Sequence, residues 1–259
     1  MTIGYVNKLE TFGSVDGPGI RFVAFLQGCP MRCKFCHNPE TWNFASRTND
    51  QGNASLAMAI SAEALLEKAL RYRPYWGRDG GITVSGGEPL AQLDFLTEFF
   101  ELAKASGVHT CIDTSGATFS PEGETFKKIE RLMESTDLLL VDIKHIDEDE
   151  HKKLTGKGNR NIIEFFRYLD RIRKPIWIRH VLVPGITDDD SALFRTRDFI
   201  RTLDNVERID VLPYHAFALS KYDELGIEYA LKATDSPTAD RIENARQILE
   251  ADKYTAYRK

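Results

Sequence analysis

Cysteine is scarce in this chain, and its placement matters as much as its number. Four cysteines in 259 residues are too few to staple a fold in the manner of small secreted domains. A basic excess is also missing. Lys and Arg number 34 against 39 Asp and Glu, for a formal net charge of −5, and no basic stripe marks a nucleic-acid footprint. No apolar run approaches the roughly 20 residues that cross a bilayer, and no charged-then-apolar leader opens the sequence. The expectation is a soluble, cytoplasmic protein with reduced thiols and no nucleic-acid or membrane partner. With 42% hydrophobic and 28% charged residues, a chain of this length buries a full core without help from metals or crosslinks.

What is present is concentrated. Cys29, Cys33 and Cys36 occupy one eight-residue window in the order Cys-x-x-x-Cys-x-x-Cys. Three thiolates so close can converge on one soft metal centre, and with no fourth cysteine nearby one coordination position stays open to something other than protein. A structural zinc site would need a fourth ligand. His37 directly follows Cys36, where chelation of the same ion is strained. Cys111, inside the apolar run Val108-His109-Thr110-Cys111-Ile112, reads as a small buried strand residue.

Short apolar runs alternate with longer helical patterns. Ile20 to Gln27, Ile82 to Val84, Val108 to Ile112, Leu138 to Ile143, Ile176 to Val183 and Ile209 to Leu212 read as strands, the first nearly continuously apolar as a parallel strand covered on both faces should be. Between them Leu65, Leu66, Ala69 and Leu70 make one helical face, and Leu93, Leu96, Phe99, Phe100 and Ala103 a second, ended by Gly107. Phe126, Ile129, Leu132 and Met133 make a third, Ile162, Phe165, Phe166 and Leu169 a fourth, and Leu193, Phe194, Phe199, Ile200 and Leu203 a fifth. Ser236-Pro237 is expected to open the last helix. Six strand-helix units predict an α/β fold with parallel strands, either doubly wound or a partial (β/α)6 barrel. The barrel is favoured because polar groups repeatedly follow the carboxyl ends of strands: the cysteine loop, Ser85-Gly86-Gly87-Glu88, Asp113-Thr114, Asp142 and Lys144, and His215, with Arg179 inside the fifth strand. Residues 43–53 are polar without a period and read as a surface loop. Residues 216–235 form a long connection placed to cover the open side of a barrel.

The cluster motif Gln27-Gly28-Cys29-Pro30-Met31-Arg32-Cys33-Lys34-Phe35-Cys36-His37-Asn38, followed by Gly86-Gly87-Glu88-Pro89 at the end of the next strand, resembles the radical S-adenosylmethionine (SAM) signature. The resemblance extends over nearly the whole chain to the pyruvate formate-lyase activating enzymes, through Val15-Asp16-Gly17-Pro18-Gly19-Ile20-Arg21-Phe22, His109 to Thr114, Asp142-Ile143-Lys144, Trp177-Ile178-Arg179, Val183-Pro184-Gly185 and Leu212-Pro213-Tyr214-His215.

That resemblance implies a single radical SAM domain over residues 1–259, with a cluster loop at 28–40 and a closing segment at about 216–259. It implies that Cys29, Cys33 and Cys36 ligate three irons of a 4Fe-4S cluster and that SAM chelates the fourth. Gly86, Gly87 and Glu88 would meet the methionine part of SAM, Glu88 as an acceptor beside its amine. Lys144, Arg179 and His215 would reach its carboxylate or ribose, and Phe35, with His37 and Asn38 beside it, would line the cofactor site, the phenyl ring against the adenine. Asp113 and Asp142 would contribute to a monovalent-cation site, or simply cap turns at strand ends. The Asp16 loop would meet the glycine loop of the partner, though Asp-Gly and Pro-Gly also read as plain turns. The implied reaction is reductive cleavage of SAM to a 5′-deoxyadenosyl radical, which removes a hydrogen atom from a backbone glycine of pyruvate formate-lyase. Flavodoxin or ferredoxin is the implied electron donor and the chain the expected monomer. Activases of several other glycyl-radical enzymes carry a cysteine-rich insertion after the first motif, but Asn38 to Gly81 contains no cysteine. A single cluster is therefore expected. A radical SAM enzyme acting on another glycyl-radical enzyme or a small molecule, and an iron-sulfur carrier or zinc-binding module, are the alternative classes.

Overall fold

The computed structural model describes residues 1–44 and 57–258; the surface loop expected over 43–53 lies, from residue 45 onward, outside them. The chain divides into two compact units, one of Met1–Pro30 with Thr41–Leu140 and one of Met31–Glu40 with Val141–Lys259.

In the first unit, β1 (Ile3–Gly13), β2 (Arg21–Leu26), β3 (Met58–Ser61), β4 (Gly81–Gly86), β5 (His109–Thr114) and the start of β6 (Leu138–Asp142) lie in the order β3-β1-β2-β4-β5-β6. β2 runs parallel to β4 and β4 to β5, whereas β1 is antiparallel to both β2 and β3. Register fixes the faces. Val23 pairs with Thr83 and Thr83 with Cys111, so the period of two places Arg21, Val23, Thr83, Ser85, Cys111 and Asp113 on one face. Phe22, Ala24, Leu26, Ile82, Val84 and Ile112 take the other, all buried, with Phe22 meeting Tyr72 just beyond the first helix. One face is thus apolar and the other carries the chemistry.

The helices of this unit follow the apolar periods. α1 (Ala62–Leu70) is capped by the Ser61 hydroxyl, which accepts from the Ala64 amide at 3.2 Å, and buries Ala62, Leu65, Leu66 and Ala69. α2 (Leu93–Ala105) buries Phe95, Leu96, Phe99, Phe100 and Ala103, and the chain leaves it through Gly107 at φ +67°. α3 (Gly123–Glu134) buries Ile129, Leu132 and Met133.

The second unit continues β6 with β7 (Ile176–Leu182) and β8 (Val206–Pro213), β7 and β8 parallel. Its helices are α4 (Glu148–Thr155), α5 (Arg160–Arg171), α6 (Asp190–Ile200), α7 (Leu219–Glu224) and α8 (Ala239–Ile248). All six strands read from the sequence are present, in an open, mostly parallel α/β sheet of eight strands. The two additional strands, β1 and β3, are the antiparallel ones.

Two local expectations are corrected, and the connection after β8 proves to hold a helix. The last helix starts at Ala239, because the Thr238 hydroxyl accepts from the Arg241 amide at 3.2 Å; Ser236-Pro237 lies ahead of that cap. Phe194 is 43% exposed and lies under the Arg197 guanidinium at 4.8 Å instead of joining the buried face of α6. The long connection after β8 contains α7 and a chain of phenols, in which Tyr229 donates to Tyr214 at 3.0 Å and Tyr214 to the Leu231 carbonyl at 3.1 Å. Among the described residues no helix is long and apolar enough to cross a membrane.

Candidate active site

The first unit supplies the entrance of the cysteine loop. The Gly28 amide donates to the Thr41 carbonyl at 2.8 Å and the Cys29 amide to that of Trp42 at 3.1 Å, and Gln27 Nε2 donates to the Asn43 carbonyl at 2.8 Å. The loop is therefore pinched shut at its base. On the other side the Gly87 amide donates to the Leu26 carbonyl at 2.9 Å and the Glu88 amide to the Gly28 carbonyl at 2.8 Å. A Cβ on Gly86, whose φ is +116°, would fall 2.3 Å from the Leu26 nitrogen, and one on Gly87 2.3 Å from the Gly28 oxygen. Both glycines are thus required for the end of β4 to lie against the backbone that leads into Cys29. The close approach expected toward a ligand is made here toward the cysteine loop itself.

Glu88 is not placed as an open acceptor. Its side chain is fully buried and accepts from the Leu90 amide at 3.1 Å, the Ser115 amide at 3.0 Å, Ser115 Oγ at 2.5 Å and Thr114 Oγ1. Burial pushes the carboxyl above its ordinary range, and the Ser115 and Thr114 hydroxyls pull it back. The carboxylate fastens the turn after β5 to the turn after β4. Nothing in the sequence marks Thr114 and Ser115 as its partners.

Asp113 accepts from Ser85 Oγ at 2.8 Å. The Asp16 loop is held against the same sheet face: Thr83 Oγ1 donates to the Asp16 carbonyl at 2.7 Å, and Arg21 donates through Nε to Thr83 Oγ1 at 2.9 Å and through Nη1 to the Pro18 carbonyl at 3.3 Å. Arg21 is fully buried. Its Nη1 lies 3.1 Å from His109 Nδ1, and His109 is held neutral, its pKa brought down to about 4 by burial and then by the Arg21 charge. A neutral imidazole accepts where an imidazolium would repel.

The second unit holds the body of the loop. The Arg32 and Lys34 amides donate to the Thr155 and Leu154 carbonyls, at 2.8 Å and 3.0 Å. These are carbonyls at the end of α4, which a helix terminus leaves without intrahelical partners. Within the loop the Cys36 amide donates to the Cys33 carbonyl at 3.1 Å and the Asn38 amide to Cys36 Sγ at 3.4 Å. Cys33 and Phe35 are buried. Lys144 Nζ stands 5.3 Å from the centre of the Phe35 ring and 2.9 Å from Asp142. Burial works against its charge, but Asp142 and then Cys33 and Cys36 outweigh it and hold the ammonium well above the ordinary lysine range. The His37 and His215 rings stack at 4.3 Å, with His37 Nε2 3.2 Å from the His215 carbonyl. Burial and then the His215 ring keep His37 below the usual histidine range. Arg179 pairs in register with Asp210 of β8, and its carbonyl accepts from the Ile143 amide at 2.9 Å.

Three observations fit a cofactor with an open metal position. Cys29, Cys33 and Cys36 stand outside any disulfide. An amide already points at one sulfur, as thiolate ligands favour. Among the described residues, His215 Nδ1 is buried with no hydrogen-bond partner, which leaves a buried polar atom for a bound group to satisfy. Among the described residues no three His, Cys, Asp or Glu side chains surround the position of a single metal ion; a cluster of several irons takes each thiolate on a different metal. Lys221 of α7, which contacts the loop at residues 37, 38 and 40, was not legible in the sequence, because it sits in a stretch with no period or motif.

The profile of the Radical SAM superfamily matches residues 23–196, and the chain belongs to that superfamily. A pyruvate formate-lyase-activating enzyme of Streptococcus mutans is 49% identical over 256 residues, 99% of this chain and 94% of its own length. One of Listeria monocytogenes is 48% identical, covering 97% of this chain and 98% of its own. Within the superfamily, the chain is a member of the family of pyruvate formate-lyase-activating enzymes. Among solved structures, a domain of such an enzyme from Bacteroides vulgatus superposes with a TM-score of 0.54 at 25% identity, covering 68% of this chain and 96% of that one. A radical SAM methyltransferase from Sphaerobacter thermophilus, at 18% identity and TM-score 0.58 over 91% of this chain and 65% of that one, shares the fold.

Proposed function

We propose that this chain activates pyruvate formate-lyase by generating a radical on one of its backbone glycines, with residues 1–259 acting as one radical SAM domain. The observation that carries the reading is a loop bearing Cys29, Cys33 and Cys36, in a chain 49% identical to an activating enzyme over 99% of its length. When bound, a 4Fe-4S cluster and SAM supply reductive cleavage of the sulfonium and a carbon radical able to take a hydrogen atom.

The chain's own residues bind, orient and shield. Cys29, Cys33 and Cys36 hold the cluster. Gly86 and Gly87 set the backbone beside Cys29 at the distance this requires, and buried Glu88 fixes that turn from behind. His215 Nδ1, His37 and Asn38 face the cofactor, with Arg179 as a further polar contact. Lys144 supplies a cation for its carboxylate, and buried Phe35 an apolar surface for its base. Asp113 and Asp142 are proposed ligands of a monovalent cation, and Asp16 the contact to the glycine loop of the partner. The electron donor is proposed to be flavodoxin or ferredoxin, the chain a monomer and its compartment the cytoplasm.

The test is isotopic. Pyruvate formate-lyase deuterated at its glycines is incubated with reduced, reconstituted protein and SAM under strict anaerobiosis. Deuterium found in 5′-deoxyadenosine supports direct abstraction from the partner's glycine. 5′-Deoxyadenosine formed without deuterium contradicts it.

A further inference from the structure

Cys29 to Cys36 are held by backbone hydrogen bonds, and the part of the loop that follows also receives a side chain from another element. Lys221, on α7, places its ammonium 2.9 Å from the His37 carbonyl, 3.0 Å from Asn38 Oδ1 and 2.6 Å from Glu40 Oε1. An ammonium has three protons, and each is aimed at a different residue of the same short segment. One acceptor is a backbone carbonyl, one an amide and one a carboxylate, so the arrangement fixes the path of the chain as well as two side-chain rotamers.

The base of this clip is packed among aromatic rings. Tyr222, next in sequence, is buried, and its ring lies 4.7 Å from that of Tyr229, whose hydroxyl bonds to Tyr214. Tyr214 directly precedes His215, whose ring stacks on His37. The segment after Cys36 is thus gripped by Lys221 and by His215, both carried by the chain that follows β8.

We infer that Lys221 is a positioning residue for SAM: it holds His37 and Asn38, and the chain leaving Cys36, in the arrangement that receives the cofactor, without itself carrying the chemistry. The inference rests on the functional reading above. The competing description is an ordinary surface ion pair between Lys221 and Glu40, whose side chains are 40% and 23% exposed. Such a pair contributes little to stability and nothing to a ligand. Two of the three bonds run to neutral acceptors at residues adjoining Cys36, which a simple charge pair does not require.

The full chain is prepared anaerobically with its cluster as wild type, Lys221→Met and Lys221→Arg. Iron per chain, thermal midpoint and SAM dissociation constant are measured, the last from the change SAM causes in the spectrum of the reduced cluster. For Lys221→Met the expected result is SAM affinity lower by about tenfold, or ~1.4 kcal/mol, with iron content and midpoint retained. Its KM for SAM rises while kcat at saturation is kept, and Lys221→Arg recovers most of the affinity. Lys221→Met affinity within about twofold of wild type overturns the inference and leaves the ion pair. Loss of iron in step with affinity also overturns it, because Lys221 would then support the cluster loop in general. Wild-type protein that holds its cluster yet binds no SAM defeats the functional reading itself, and this inference with it.

Discussion

Replacing Glu88 by Gln keeps the shape of the side chain and removes its charge. In the native protein the carboxylate accepts from four donors with no exposed surface of its own. An amide can keep its oxygen toward Thr114 and Leu90, but its NH2 group then faces the Ser115 amide and hydroxyl. The hydroxyl can rotate and accept instead, whereas the Ser115 N–H cannot, so one buried donor is stranded at a cost of about 1–3 kcal/mol. The remaining bonds also lose their charge assistance. The expected destabilisation is about 2–3 kcal/mol, which for a chain near this size lowers the melting midpoint by roughly 4–10 °C. The assay is thermal unfolding followed by circular dichroism under reducing conditions. Glu124→Gln serves as the control, since Glu124 is 80% exposed and pairs with Lys127 one helical turn away. A Glu88→Gln midpoint within about 1 °C of wild type would refute the claim that this carboxylate is a structural strut. In that event a role toward a ligand's amine, the expectation from sequence, would return.

Two other outcomes follow from the geometry. Gly87→Ala places a Cβ 2.3 Å from the Gly28 oxygen, a backbone atom that can yield only if the cysteine loop shifts; reconstituted protein is expected to hold less than about half the wild-type iron, and full iron content would contradict this. His109 is kept neutral in the fold, its pKa reduced from 6.5 to about 4, so the unfolded chain binds the additional proton in that window. The His109 contribution is therefore complete above about pH 6.5 and is lost toward pH 4, where it amounts to about 3 kcal/mol. Urea denaturation at several pH values should show a shallower acid limb for His109→Gln, and an unchanged limb would rule the contribution out.

Much of the fold was legible because burial writes itself into sequence. β2 is buried on both faces apart from Phe25, so Phe22 to Leu26 appears as an unbroken apolar run, and α5 buries the residues its period picks out, as α1 does apart from the half-buried Leu70. β1 escaped because Asn7 to Phe12 are all exposed or half-exposed and include Lys8 and Glu10, and β3 because four residues are too few to show a period. Cys29, Cys33 and Cys36 stood out from their spacing alone, since nothing in packing requires three thiols in eight residues. The role of Glu88 did not, because its partners Thr114 and Ser115 lie 26 and 27 residues away and meet it only through the register of β4 and β5. Lys221 is a stronger case: 181 residues separate it from Glu40, and a lysine in a polar connection carries no local sign of a distant acceptor.

The central claim is that Cys29, Cys33 and Cys36 hold a cluster whose open position serves radical chemistry on a partner glycine. Electron paramagnetic resonance on anaerobically reconstituted, reduced protein with SAM and pyruvate formate-lyase tests it most directly, with Cys36→Ser alongside. The account predicts a glycyl radical doublet on pyruvate formate-lyase that is absent with the variant. A reduced cluster whose spectrum shifts with SAM while pyruvate formate-lyase stays radical-free would contradict the assignment of the partner, and no cluster signal at all would contradict the mechanism.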